Sequence, residues 1–166
     1  MPASGKTTLA RGLAERLRLP LIEKDQLKEA LFETLGIDVE WSRRLGGATY
    51  ELMVVVARSL LAAGVSSVAE ANFFRGSERL FAALPPHRLV QVHCTAPREV
   101  LLERHRSRTG RHPGHLDSER LDEVAARYDS GTNGALELAG ELLVLDTSAN
   151  DAAASAELVL AHLGGV

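Results

Sequence analysis

Cysteine is almost absent from this chain. Cys94 stands alone among 166 residues, so no disulfide can close within it, and a reducing compartment fits. Lysine is nearly as scarce. Lys6, Lys24 and Lys28 are the whole set; every other fixed cation is an arginine. Long apolar runs are missing too. No unbroken stretch approaches the roughly 18 residues of a membrane-crossing helix, and no charged-then-apolar leader opens the chain. We therefore expect a cytoplasmic protein with no membrane partner. A basic excess is also lacking. The net charge of −3 argues against tight binding to extended nucleic acid, which relies on many cations displacing counterions.

What is present is the make-up of a globular domain, 45% apolar and 25% charged. The length suits one domain with a real core, and we expect 1–166 to form it. Its organising stretch is the first eight residues, Met1-Pro2-Ala3-Ser4-Gly5-Lys6-Thr7-Thr8. Gly5-Lys6-Thr7 is the closing half of a phosphate-binding loop, G-x-x-x-x-G-K-[ST]. The opening glycine of that pattern would fall one place before Met1, and no strand precedes the loop. Successive backbone N–H groups of such a loop, Ser4 to Thr8 here, form a nest for phosphate oxygens. Gly5 permits close approach because it has no Cβ. Lys6 brings an ammonium to the β- and γ-phosphates, and Thr7 a hydroxyl to Mg²⁺. Leu9, Leu13 and Leu17 recur at spacing four, so a helix follows and aims its positive end at the same anion. Arg11 and Glu15 are an i,i+4 pair on another face of it.

Further along, 20–25 reads as a strand and 26–35 as a helix stopped by Gly36. Asp25 then lies at the carboxyl end of a strand, the edge where open α/β sheets bind ligands. A carboxylate there can take the proton of an attacking hydroxyl; it can equally be a helix N-cap. Lys28 is placed to hold an anionic substrate, while Lys24 reads as a solvated lysine. A long helix is expected from about Ser42, its N-cap, to Ala63, with Gly64 as stop and Trp41 just before it. Strand 65–69 ends at Glu70, a Mg²⁺-ligand position in phosphate-loop enzymes. Asn72 can hydrogen-bond substrate or start the turn through Gly76. Ser77 is expected to cap a short helix that Pro85-Pro86 ends. The segment 88–94 reads as a strand, with a helix after Pro97.

Arg104-His105-Arg106-Ser107-Arg108-Thr109-Gly110-Arg111-His112 holds four arginines and no carboxylate. In an acidic chain such a patch calls for an anionic partner, and guanidinium forks match phosphate oxygens. With Gly110 and Gly114 as joints, about 104–116 reads as a lid that closes over ATP and excludes water. The scattered histidines 93, 112 and 115 with Cys94 do not make a zinc spacing. A helix is expected after Asp117, a last strand over 141–146, a loop at 147–149 beside the adenine, and a last helix over 151–163. Strands alternating with helices predict an α/β fold with a parallel sheet.

These residues together resemble a family. The loop, the strand-end Asp25, Glu70-Ala71-Asn72 and the arginine-rich lid are similar to small P-loop kinases, nearest to the AAA_33-type ATP-binding proteins. Zeta toxins, chloramphenicol phosphotransferase, gluconate kinase and polynucleotide 5′-kinase are related members. The resemblance implies a three-layer P-loop NTPase fold with strand order 2-3-1-4-5, whose first strand the given chain lacks. It implies ATP and Mg²⁺ as cofactors and a hydroxyl-bearing substrate. It makes Asp25 the base and Lys6, Arg104 and Arg108 its catalytic partners, with Arg111 on ATP, Lys28 and Asn72 on substrate, and Thr7 and Glu70 on the metal. Glu70 departs from the usual aspartate by one methylene. An upstream apolar strand with a glycine is expected to raise stability against heat.

Three functions compete. A kinase moves the γ-phosphate of ATP to a hydroxyl of a small molecule or nucleic-acid end. An ATP-hydrolysing switch uses nucleotide state to change a partner contact. A degenerate module binds nucleotide without turnover. Asp25 separates them, since only the kinase needs a base over an acceptor.

Overall fold

The computed structural model describes residues 1–36, 39–110, 112–115, 125–126, 128–130, 132 and 134–164, with the side chains of 39–41, 43 and 114 left aside. Of the expected helix after Asp117, residues 125–126 and 128–129 are described and are helical; the rest of it lies outside the described residues, as do the lid residue Arg111 and the side chain of Trp41.

Helix α1 spans Lys6–Leu17 and buries Leu9, Ala10, Leu13 and Ala14 on the stripe its spacing foretold. It ends at Arg18, whose left-handed φ of 54° lets its N–H reach back to the Ala14 and Glu15 carbonyls. The chain then forms β1 (Leu21–Glu23) and runs straight into α2 (Lys24–Leu35), which Gly36 terminates with a φ of 83°. Asp25 is thus in the first turn of α2 rather than at the strand end, because helix geometry begins at Lys24. Helix α3 covers Val39–Ala62. Ser42 is not its N-cap. It sits inside the helix, fully buried, and accepts a hydrogen bond from Lys28.

Strand β2 (Val68–Glu70) pairs in parallel with β1, with Glu23 opposite Glu70. A 3₁₀ helix over Glu78–Ala83 follows; the Ser77 hydroxyl donates back to the Phe74 carbonyl at 2.6 Å instead of capping it. Strand β3 (Val90–Thr95) pairs in parallel with β4 (Glu141–Asp146), from Val90 opposite Glu141 to Thr95 opposite Asp146. Between them run α4 (Arg98–Arg106) and a 3₁₀ turn at Pro113–His115. The last helix, α5 (Ala152–Gly164), starts where Asp151 Oδ1 accepts the Ala154 N–H at 2.8 Å. Among the described residues the sheet is two parallel pairs, β1-β2 and β3-β4, and no strand joins β2 to β3. These are the outer pairs, 2-3 and 4-5, of the expected order.

Helix α1 fastens the two pairs to one core. Leu9 and Leu13 pack with Cys94 of β3, Leu145 of β4, and Ala156 and Val159 of α5. The other edge of α1 lies against β1 and β2. Helix α3 packs on α2, β1 and the 3₁₀ helix, burying Leu45, Thr49 and Met53. Its Arg44–Ala62 stretch, of mean hydropathy 1.3, is long and apolar enough by length and composition to cross a membrane. Glu51 and Arg58 interrupt that stretch, and α3 contacts α2, β1, the 3₁₀ helix and the 3₁₀ turn at Pro113–His115.

Candidate active site

The loop before α1 departs from ordinary backbone twice. Ala3 has a φ of 59° and Gly5 a φ of 74°, left-handed positions that turn successive N–H groups to one side. Ser4 is buried, and its hydroxyl donates to the Met1 carbonyl at 2.9 Å, closing the loop. Gly5 is the N-cap of α1 and no side chain caps that helix. No acidic residue stands in its first turn. Among the described residues, the N–H groups and positive dipole end at this helix start therefore have no capping side chain and no first-turn acid.

Lys6 turns back over this loop. Its Nζ lies 3.4 Å from the Met1 carbonyl and 3.4 Å from Glu70 Oε1. Glu70 is buried at the end of β2, so the loop ammonium and the expected metal-binding carboxylate meet directly. Thr7 is half-buried beside them and Thr8 is exposed. An uncapped helix start, an ammonium, a hydroxyl and a buried carboxylate are the donor set that a magnesium–triphosphate needs. The residues present fit the group.

Glu23 was missed in the sequence. It ends β1 one residue before α2, is buried, and stands in register beside Glu70. Two carboxylates side by side at a sheet edge repel, and each has its own cation. Arg11 grips Glu23 with both fork nitrogens at 2.8 Å. The bond raises the Arg11 pKa above its ordinary value, with the Glu23 charge as the second cause. Arg11 is therefore not the partner of Glu15. A bidentate bond to a buried carboxylate outweighs an exposed i,i+4 pair worth a few tenths of a kcal/mol, about 0.2–0.5.

At the start of α2, Asp25 is one-third exposed, with Lys24 Nζ 3.8 Å from its Oδ1. Lys24 is not a solvated lysine: it is largely covered and lies 5.1 Å from the centre of the Tyr50 ring. Tyr50 in turn donates to the Asn72 carbonyl at 2.6 Å. Lys24, Asp25, Tyr50 and Asn72 so form one connected group. The Asn72 side-chain oxygen is buried with no hydrogen-bond partner. Lys28 is buried too, its ammonium 3.0 Å from Ser42 Oγ and 5.1 Å from the Phe32 ring centre.

The arginine patch divides. Arg104 donates to the Thr147 hydroxyl at 3.0 Å and to the Thr147 carbonyl at 2.8 Å. The Thr147 hydroxyl also stands 3.1 Å from the Thr95 carbonyl. Thr147 is the residue that a Cβ on Gly5 would meet, at 3.8 Å. Arg104 thus ties the 147–149 turn to α4, and Thr147 faces the phosphate loop. Arg108 bears on a neighbour of the loop, Tyr128. Burial pushes the Tyr128 hydroxyl pKa up, the Arg108 charge opposes it, and that hydroxyl donates to the Pro2 carbonyl at 3.0 Å. Cys94 is a core residue, its thiol pKa raised by burial and drawn the other way by Lys6.

A parallel α/β fold with a Gly-Lys-Thr loop opening its helix defines a P-loop NTPase. The chain belongs to the AAA_33 family of AAA domains, which matches residues 1–130. Among solved structures it is similar to a provisionally assigned kinase from Chloroflexus aurantiacus J-10-fl, with 36% identity, a TM-score of 0.79, and 97% of this chain and 93% of that one covered. It also resembles a sugar kinase from Janibacter sp. HTCC2649 in fold, at 24% identity and a TM-score of 0.66 over 98% and 89% of the two chains. A shikimate kinase from Bacteroides thetaiotaomicron shares the fold at 19% identity and a TM-score of 0.55, over 99% and 94%. No curated protein matches the chain.

Proposed function

We propose that this chain is an ATP-dependent kinase that transfers the γ-phosphate to a hydroxyl of a small molecule or a nucleic-acid end. The observation that carries this reading is the meeting of Lys6 and buried Glu70 at the uncapped start of α1. Ser4, Gly5, Lys6, Thr7 and Thr8 hold the phosphates, and Lys6 leaves Glu70 for them when nucleotide arrives. Thr7 and Glu70 would hold Mg²⁺, which would supply charge neutralisation across the transferred group. Asp25 takes the proton of the acceptor hydroxyl as its oxygen attacks the γ-phosphorus. The bond from that phosphorus to the bridging oxygen breaks, and ADP leaves. Arg104 and Arg108 stabilise the transferring charge, and Arg111 adds to them. Lys28 and the unpartnered Asn72 Oδ1 orient the acceptor. The reading takes 1–166 as one cytoplasmic domain with its lid at about 104–116.

The test uses γ-labelled ATP, Mg²⁺ and pooled hydroxyl acceptors: sugars, nucleosides, antibiotics and short oligonucleotides. Label should appear on one pool, and Asp25→Asn should lower that transfer by roughly 10²–10⁴-fold while ATP still binds. Label released only as free phosphate, whatever the pool, would turn the reading to an ATP-hydrolysing switch. Nucleotide binding without any turnover would turn it to a degenerate module.

A further inference from the structure

The histidines at 112 and 115 have no part in the loop chemistry, yet they are among the best-anchored side chains of their segment. His115 is buried, and its Nε2 lies 2.7 Å from Glu29 Oε1. His112 is mostly covered, and its Nε2 lies 2.8 Å from Glu33 Oε1. The two rings meet edge to face at 6.3 Å. The His112 ring stacks on Phe32, with centroids 6.0 Å apart and planes 12° from parallel. Phe32 is itself fully buried. The 3₁₀ turn at Pro113–His115 sets the two rings three residues apart on one side. Glu29 and Glu33 are one helical turn apart on α2, on the stripe that begins with Asp25.

We infer that Glu29 and Glu33 are positioning residues: they latch the end of the arginine-rich segment onto α2 through His115 and His112. The near end of that segment is fixed elsewhere, by Arg104 on the Thr147 turn. The segment therefore bridges the nucleotide side and the helix that carries the acceptor base. Its two ends are anchored by different chemistry, so the far end can release while the near end stays. The sequence alone suggested nothing of this, because the partners are 79 and 86 residues apart. The latch itself rests on geometry; its effect on turnover rests on the kinase reading above.

The test has two arms. In the first, wild type, Glu29→Ala, Glu33→Ala and the double variant are digested with trypsin, and cutting after Arg106 and Arg108 is timed. The latch predicts cutting about tenfold faster in the double variant, with the melting temperature held. Both glutamates reach into solvent, so the fold tolerates their loss. A cycle of Glu29→Ala with His115→Ala should be non-additive, the double costing no more than either single. Unchanged cutting at both arginines, or full additivity, overturns the latch. The second arm measures steady-state transfer. The double variant should lose about fivefold or more in kcat/KM for ATP, with Glu29→Gln and Glu33→Gln restoring part of it because an acceptor oxygen remains. A drop without rescue by the glutamines overturns the positioning role. If wild type transfers no phosphate, the kinase reading falls while the protease arm still decides the latch.

Discussion

At the level of single residues, the site is a problem in charge placement. Glu23 and Glu70 stand side by side at the ends of β1 and β2, both buried. Such an edge is tolerable only because Arg11 and Lys6 come from the same helix to meet them. Arg11→Ala should then cost about 1–3 kcal/mol, the range for leaving a buried polar group unsatisfied. The double change Arg11→Ala with Glu23→Gln should recover part of the loss, since the stranded charge is gone. Urea denaturation checks both; a single variant as stable as wild type would sink the pairing argument. Spacing made the positions of Lys6, Asp25 and Glu70 in the fold legible, because each sits at a fixed offset from a helix start or strand end. Arg11 was misassigned, since a sequence displays its i,i+4 neighbours and hides a carboxylate across a turn. Thr147 and Tyr128 were equally hidden as partners of the loop. Each reaches it from more than 100 residues away, through contacts that only the folded chain creates.

At the level of elements, strand and helix identities follow from local pattern, while their exact ends follow from particular backbone bonds. Strand β4 begins at Glu141, as its apolar run foretold. The residue before it shows why the register is firm. Gly140 has a φ of 142°, and a Cβ there would come within 2.5 Å of the Leu89 carbonyl oxygen. That same oxygen accepts the Glu141 N–H at 2.9 Å, the first rung joining β3 to β4. Gly140→Ala must move one or the other. We expect a loss on the order of 3 kcal/mol, from backbone strain together with a disturbed ladder. A thermal melt unchanged by the substitution would count against this account of the register. Helix α3 was read a little short for a related reason. Ser42 looks like an N-cap, and the Gly46-Gly47 pair looks like a weak start. Tertiary contacts override both, as Ser42 receives the Lys28 ammonium and Leu45 is buried. The shift of Asp25 from strand end to first helical turn is of the same kind, a boundary moved without moving the residue out of the site.

At the level of the whole molecule, the class of fold was legible in the alternation of strands and helices, whereas strand order was not, because periodicity says nothing about which strands are neighbours. The order came from resemblance to the P-loop kinases, and the parallel pairs β1-β2 and β3-β4 agree with it. Helix α1 is what the two pairs share. Its apolar stripe enters the core made by β3, β4 and α5, and its charged side holds Glu70 and Glu23 of the other pair. A ligand bound at the start of α1 is therefore bound to the element that couples both halves. It should stabilise the molecule as one unit. At a non-hydrolysable ATP analogue concentration near 100 times Kd, with Mg²⁺, linkage gives about 2.7 kcal/mol. For a chain of this size that corresponds to a rise in Tm of roughly 5–10 °C. Lys6→Ala should abolish most of the rise, because the triphosphate loses its ammonium. Asp25→Asn should keep it, since the proposed role of Asp25 is toward the acceptor and not the nucleotide. A single cooperative transition that moves up with analogue in wild type and in Asp25→Asn, but not in Lys6→Ala, would tie nucleotide binding to α1. A melt indifferent to the analogue at millimolar concentration would remove the nucleotide from this site altogether, and the kinase reading with it.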